Sequence, residues 1–122
     1  MKYVNLTPHA VTVMDKDGAT ILSVPPSGTV ARLSETAQPA PVWREGVRAD
    51  RVEDGVPYTL VILGEVSGLP EPQDGVIYIG SMPLLMGMMA AQIQRSDVVY
   101  PYGQVRDSEG RIIGCRSLAT LA

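Results

Sequence analysis

One stretch of this chain, Met82 to Arg95, repeats its apolar residues at helical spacing. Every other apolar run is short and is cut off by glycine, proline or an Asp-Gly pair. With 12 glycines and 10 prolines spread along 122 residues, little of the chain can continue as helix, and strands joined by tight turns must supply most of the fold. The expected class is α+β: mostly antiparallel strands and hairpins with one apolar helix over about residues 82–95. The length suits a single domain, 1–122.

The strands can be placed from alternation and turn chemistry. Tyr3 to Leu6 reads as a first strand and Ala10 to Met14 as a half-buried one. Asp15-Lys16-Asp17-Gly18 then turns the chain into Ala19 to Val24, because glycine accepts a positive φ without steric cost. Pro25-Pro26-Ser27-Gly28 reads as a second turn leading into an alternating Thr29 to Leu33, which predicts a three-stranded meander. Residues 34–55 lack sustained periodicity and read as a long excursion with a short strand around Val42 to Val47 or Val52; loops of that length are commonly functional or mobile. The β-branched run Val56 to Leu63 predicts a central strand, and Val76 to Ile79 a buried one. A last hairpin runs from Gln104 through the turn Ser108-Glu109-Gly110 to Arg116.

Within the helix, Met82, Leu85, Met86, Met89 and Ile93 form a stripe that Leu84, Met88, Ala90 and Ala91 widen around most of the circumference. A helix apolar nearly all round is central to its domain or shared with another subunit. Ser81 or Met82 would cap its start, and Pro83 fits only in a first turn. Four methionines make a surface that repacks easily, as both cores and interfaces use.

Composition excludes several classes. A lone Cys115 and a lone His9 fall short of a disulfide or a zinc set, and no cofactor or metal motif is present. No apolar stretch approaches the length of a membrane span and no leader-like start is evident, so a cytoplasmic location with no membrane partner is expected. A net charge of -3 without a basic run argues against nucleic acid as a partner. Arginine outnumbers lysine eight to two, and Arg95, Arg106, Arg111 and Arg116 cluster toward the end of the chain. Planar guanidinium groups suit bidentate capture of carboxylate or phosphate, although a solvated surface would use them as well.

Three strings could carry chemistry. Asn5-Leu6-Thr7-Pro8-His9 places an amide, a hydroxyl and the only imidazole around a stiffening proline. His9 could act as acid, base or ligand donor, or all three polar residues could serve a turn. Gly80-Ser81, where a buried strand meets the helix N-terminus, could receive an anion, or Ser81 could simply cap the helix. Arg95-Ser96-Asp97 with Tyr100 and Tyr102 could clamp and stack a nucleotide-like molecule, or Arg95 and Asp97 could pair to close the helix. Ser27, Ser81 and Cys115 have no nucleophile context, so a catalytic triad is not supported.

The Asn-Leu-Thr-Pro-His string, the Pro-Pro-Ser-Gly turn and the closing Val-Arg-Asp-x-x-Gly-Arg-Ile-x-Gly hairpin resemble an uncharacterised family of small phage and prophage proteins, along the whole chain. The resemblance implies a phage setting, hence the host cell cytoplasm, and carries no catalytic residue with it. Small phage proteins of this size include ones that sequester nucleotide signals of host immunity, an analogy of context rather than of motif.

These readings together give the expectation of a non-enzymatic protein that binds and sequesters a small anionic, nucleotide-like ligand as phage counter-defence. It would work as a homo-oligomer through the Met82–Ile93 helix. Asn5, Thr7, His9 and Ser81 would supply polar contacts, Arg95 with Asp97, Arg106, Arg111 or Arg116 the anion clamp, and Tyr100 or Tyr102 the stacking surface. Two alternatives stay open. One is a small hydrolase of a nucleotide derivative, with His9 as general base and Asp97 orienting it or a water; the other is a structural or protein-interaction phage protein.

Overall fold

The computed structural model describes residues 1–121. Its centre is a six-stranded mixed sheet. In chain order the elements are β1 (Lys2–Asn5), β2 (Val11–Met14), β3 (Thr20–Val24), β4 (Arg32–Pro39), β5 (Pro41–Arg44), β6 (Val47–Asp50), β7 (Val52–Glu53), β8 (Val56–Pro57), β9 (Thr59–Ser67), β10 (Val76–Ile79), α1 (Met82–Ala90), β11 (Val98–Arg106) and β12 (Ile112–Ala119). The large sheet has the order β1-β10-β11-β12-β2-β3. The α+β class is thus met, with antiparallel hairpins β2–β3 and β11–β12. Three pairings, β1–β10, β10–β11 and β12–β2, are parallel, a feature alternation alone does not reveal.

Alternation along β10 and β11 divides the core between the two faces of the sheet. Tyr78, Val98 and Tyr100 join Leu6, Ala31, Leu84, Leu85 and Met88 under the helix. Ile79 and Val99 join Val11, Val13, Val24 and Cys115 on the other side, where β2 and β3 curl back toward the centre. β10 lies between β1 and β11 with Tyr78 and Ile79 fully buried, as a β-branched run flanked by turns predicts.

The helix is shorter than its apolar pattern. It ends at Ala90, with Gln92 in the left-handed region at φ 59°. The Ile93 N–H donates to the Met88 carbonyl and the Gln92 N–H to the Met89 carbonyl, a Schellman closure. Glycine normally marks that position, and the stop is invisible in a sequence that puts glutamine there. Leu84, Leu85 and Met88 face the core, while Met82, Met86 and Met89 stay about half exposed. The helix is therefore both core and surface.

Three other expectations are corrected. The three-stranded meander does not form: Pro25 and Pro26 cannot donate to a ladder, and the chain after β3 instead runs back along the end of β1. There Pro26 bridges Asn5, the Ser27 N–H donates to the Asn5 carbonyl and the Ala31 N–H to the Leu6 carbonyl. Residues 34–55 are not an irregular loop, and the Val56 to Leu63 run is not a central strand. β4 and β9 pair antiparallel as a separate two-stranded ribbon, and its far end splits into two small hairpins, β5–β6 and β7–β8.

The branch point is closed by a ring of backbone hydrogen bonds: Ala40 N–H to Tyr58 C=O (2.9 Å), Tyr58 N–H to Arg51 C=O (3.1 Å) and Arg51 N–H to Ala40 C=O (2.7 Å). Both hairpin tips carry consecutive positive φ values, at Glu45-Gly46 and Asp54-Gly55, the geometry of the tight turn that matches strand twist. The root of the ribbon sits on the helix at Gly87, where any Cβ would come within 2.5 Å of Leu33.

Candidate functional site

The Asn-Leu-Thr-Pro-His string is a structural turn first. Asn5 is completely buried at the end of β1. Its Nδ2 donates to the carbonyls of His9 (2.7 Å) and Val24 (3.1 Å), and its Oδ1 accepts from the Thr7 N–H (2.9 Å). The Thr7 hydroxyl lies 2.7 Å from Asn5 Oδ1 and 2.9 Å from the His9 carbonyl, with one proton to give to the two. Donors and acceptors match at every contact, so the amide orientation is determined by its surroundings. Both side chains are committed to holding the turn against β3. The His9 ring is exposed and lines a small cleft with Thr12, Gln104, Ile112 and Cys115; among the described residues no carboxylate bonds it.

Arg95 and Asp97 form a two-pronged ion pair, Nε to Oδ1 at 2.7 Å and Nη2 to Oδ2 at 2.9 Å, and Nη2 also donates to the Pro70 carbonyl. The guanidinium holds the Asp97 carboxyl below the usual carboxylate range, against the opposing pull of desolvation. Arg95 also lies 5.9 Å from the centroid of the Tyr78 ring, whose hydroxyl donates to the Glu71 carbonyl. This constellation fastens the proline-rich connection after β9 onto the sheet. Asp97 is thus occupied by Arg95, and nothing brings it to His9.

The remaining arginines are dispersed. Arg106 donates to the Gly110 carbonyl and Gln104, and Arg111 pairs with Asp107 and Glu109. Backbone N–H groups of Arg111 and Glu109 keep the Asp107 carboxyl below its ordinary value. Arg116 donates to the Asp15 carbonyl, tying the last strand to the β2–β3 turn. The four late arginines therefore do not converge on one point. Tyr100 is buried in the core; Tyr102 is exposed and meets it edge to face, ring centroids 6.4 Å apart.

Ser81 caps the helix, accepting from the Leu84 N–H at 3.2 Å. With Pro83 lacking an N–H, this helix start has fewer free donors than an ordinary one. It nevertheless forms one wall of a cleft of about 580 Å³ at the root of the ribbon, lined by Thr7, Pro8, Arg32, Glu35, Leu63, Ser81 and Met86 among others. Arg32 is the residue that sequence reasoning passed over, as one polar position in an alternating segment. Among the described residues its guanidinium makes no hydrogen bond or ion pair. The one available signal was its isolation, as the only cation between Lys16 and Arg44.

A larger cleft, about 740 Å³, lies beyond the helix C-terminus between Met89, Ile93, Arg95 and Leu121. Its only cation among the described residues is Arg95, already bound by Asp97 and the Pro70 carbonyl. Among the described residues no group of His, Cys, Asp and Glu is placed to hold a metal ion, and no helix is long and apolar enough to cross a membrane. In comparisons with known proteins, no family model, no curated protein and no solved structure matches this chain. What the geometry defines is a class: a mixed-sheet α+β protein with a protruding ribbon and an amphiphilic cleft at the ribbon's root.

Proposed function

We propose that this protein is a non-enzymatic binder of a small anionic, nucleotide-like ligand, held in the cleft at the root of the ribbon. The observation that carries the reading is the Arg32 guanidinium, unpaired among the described residues, in a cleft of about 580 Å³ that it lines together with Thr7, Glu35 and the Ser81 helix start and whose remaining walls are largely apolar. A few polar groups set in an apolar lining is how small-ligand sites are built, and roughly 300–1,000 Å³ is their usual range. Arg32 would meet the anionic group, while Leu63, Pro83 and Met86 would cover a flat apolar moiety.

The proposal extends to a homo-oligomer that includes the half-exposed face of the Met82–Ile93 helix, and to sequestration of a phage-relevant nucleotide signal in the host cytoplasm. The hydrolase reading draws no support from the His9 and Asp97 positions. The protein-interaction reading is favoured by a different observation, the exposed apolar ribbon.

The test is native mass spectrometry of the protein purified from infected cells, with mass analysis of anything released on denaturation, followed by thermal shift against nucleoside diphosphates and cyclic dinucleotides. A ligand at about 100 times its Kd stabilises by about 2.7 kcal/mol, an upward Tm shift of roughly 10 °C for a chain of this size. Losing one charged hydrogen bond in Arg32→Ala costs about 1.5–3 kcal/mol, or about 10- to 150-fold in affinity. An empty protein without a shift for any nucleotide would overturn the ligand proposal and leave the protein-interaction reading.

A further inference from the structure

The ribbon β4–β9 has no core of its own. Leu60, Val61, Ile62 and Leu63 are between 38% and 48% exposed. Successive strand residues point to opposite faces, so β9 puts apolar side chains on both faces of the ribbon, and beyond its root, where Leu33 meets Gly87 and Val66 packs on the core, neither face is covered. Its tips add Trp43, Val47, Val52 and Val56, all more than half exposed. A two-stranded hairpin alone in water is marginally stable at best, and this one carries an apolar load that water opposes.

The excess surface can be sized. The chain exposes 8424 Å², whereas a compact monomer of 13.1 kDa is expected to expose about 6,400 Å². The surplus, roughly 2,000 Å², is more than twice the ~800 Å² that each partner contributes to a standard interface, and it matches an obligate one.

The outer edge of β9 is the open side. Among the described residues no strand pairs there, and Thr59 to Gly64 carries no charge and no proline, the guards that exposed edges ordinarily use. The outer edge of β4, by contrast, includes Arg32, Glu35 and Pro39. A second apolar surface waits on the body. Met82, Met86 and Met89 are each close to half exposed, and Met86 shares the root cleft with Leu63, so the helix stripe and the ribbon face are continuous.

We infer that the ribbon is an assembly arm whose partner is a second copy of this chain, with β9 pairing antiparallel to β9 of that copy across a two-fold axis. Antiparallel pairing sets the tip of each ribbon beside the root of the other. Trp43, Val47, Val52 and Val56 of one copy then cover the Met82, Met86 and Met89 stripe of its partner. One interface thus disposes of the open edge, the apolar tips and the exposed methionines. A self-complementary edge meeting itself is the isologous arrangement of most dimers. Leu63 and Met86 also line the ligand cleft, but the readouts below need no ligand, so failure here and failure of the ligand proposal are distinguishable.

The experiment is sedimentation of the full chain at about 50 µM, a concentration that populates any dimer of micromolar affinity or better. The wild type should sediment at twice 13.1 kDa or a multiple of that. Ile62→Lys, which places two ammonium groups near the two-fold axis, should weaken association by about 100-fold or more. Retained protection of Cys115 from thiol reagents shows that the body of the variant is folded. In parallel, single cysteines at positions 60 to 63 in a Cys115→Ser background should give a disulfide-linked dimer at one of them on oxidation. A wild-type monomer, an Ile62→Lys chain that associates unchanged, or no linked dimer at any of the four positions overturns the inference. The linkage result decides alone if Ile62→Lys exposes Cys115.

Discussion

Replacing Asn5 with alanine tests whether the Asn-Leu-Thr-Pro-His string is a fold-defining turn. The side chain is completely buried and makes three hydrogen bonds to backbone groups of Thr7, His9 and Val24, with a fourth from the Thr7 hydroxyl that is shared with the His9 carbonyl. At about 1 kcal/mol net for each bond, with a further penalty for buried groups left unpaired, the loss should be roughly 3–5 kcal/mol. At about 4 °C per kcal/mol this is a Tm lower by roughly 15 °C. Urea unfolding followed by circular dichroism gives the free energy directly.

Asn5→Asp separates hydrogen-bond chemistry from shape, since it keeps the contact to the Thr7 N–H but turns a carboxylate oxygen toward the His9 and Val24 carbonyls. Burial beside two acceptors raises that carboxyl's folded pKa above its unfolded value near 3.9. Its destabilisation is therefore full above the folded pKa and relieved as pH falls toward the unfolded one. An Asn5→Ala variant that loses less than about 1 kcal/mol, or an Asn5→Asp variant equally destabilised relative to wild type at pH 4 and pH 7, would refute this account.

Two further perturbations follow from the same geometry. Asp97→Asn leaves the Arg95 guanidinium partly buried without its counter-charge and should cost about 2–4 kcal/mol at pH 7, discounted from the fully buried case because both side chains keep some exposure. Because the Asp97 carboxyl is held below its ordinary value, the wild type keeps this increment above the unfolded pKa near 3.9 and loses it as pH falls through the folded pKa. The variant should lack that part of the acid limb, and urea midpoints measured from pH 7 to pH 2 would show it. Burial pushes the Cys115 thiol up and its sulfur lies against the Thr12 carbonyl, so alkylation of the native protein at pH 8 should be at least ~100-fold slower than in denaturant. Equal rates would contradict its place in the core.

Local chemistry made much of the body legible. The Asp15 to Gly18 turn and the hairpin around Gly110 follow from residues that need few partners: Asp15 and Asp107 accept from nearby backbone N–H groups, and Gly18 and Gly110 take positive φ. The buried strand Val76 to Ile79 was legible because a short apolar run between turn signals has few other uses. The Ser81 cap and the first-turn Pro83 were legible for the same local reason.

The site was much less so. Asn5, Thr7, His9, Ser81, Arg95, Asp97, Tyr100, Tyr102, Arg106, Arg111 and Arg116 could all be named as chemically able. Which of them are spent on the fold depends on partners remote in sequence, such as Pro70 for Arg95 and Asp15 for Arg116. Arg32 gains its meaning only by being left out of such pairings.

The ribbon shows the division most plainly. Alternation and the Glu45-Gly46 and Asp54-Gly55 pairs contain the information for its hairpins, because tight turns are decided by the backbone freedom of a few residues. That the apolar run Thr59 to Leu63 stands outside the core is a matter of tertiary structure alone. Hydrophobicity states that a surface must be covered, but it is non-directional and cannot say by what. The six-stranded body closes over Tyr78, Ile79 and Val98 with only Val66 of β9 packed against that core, so Leu60 to Leu63 stay exposed.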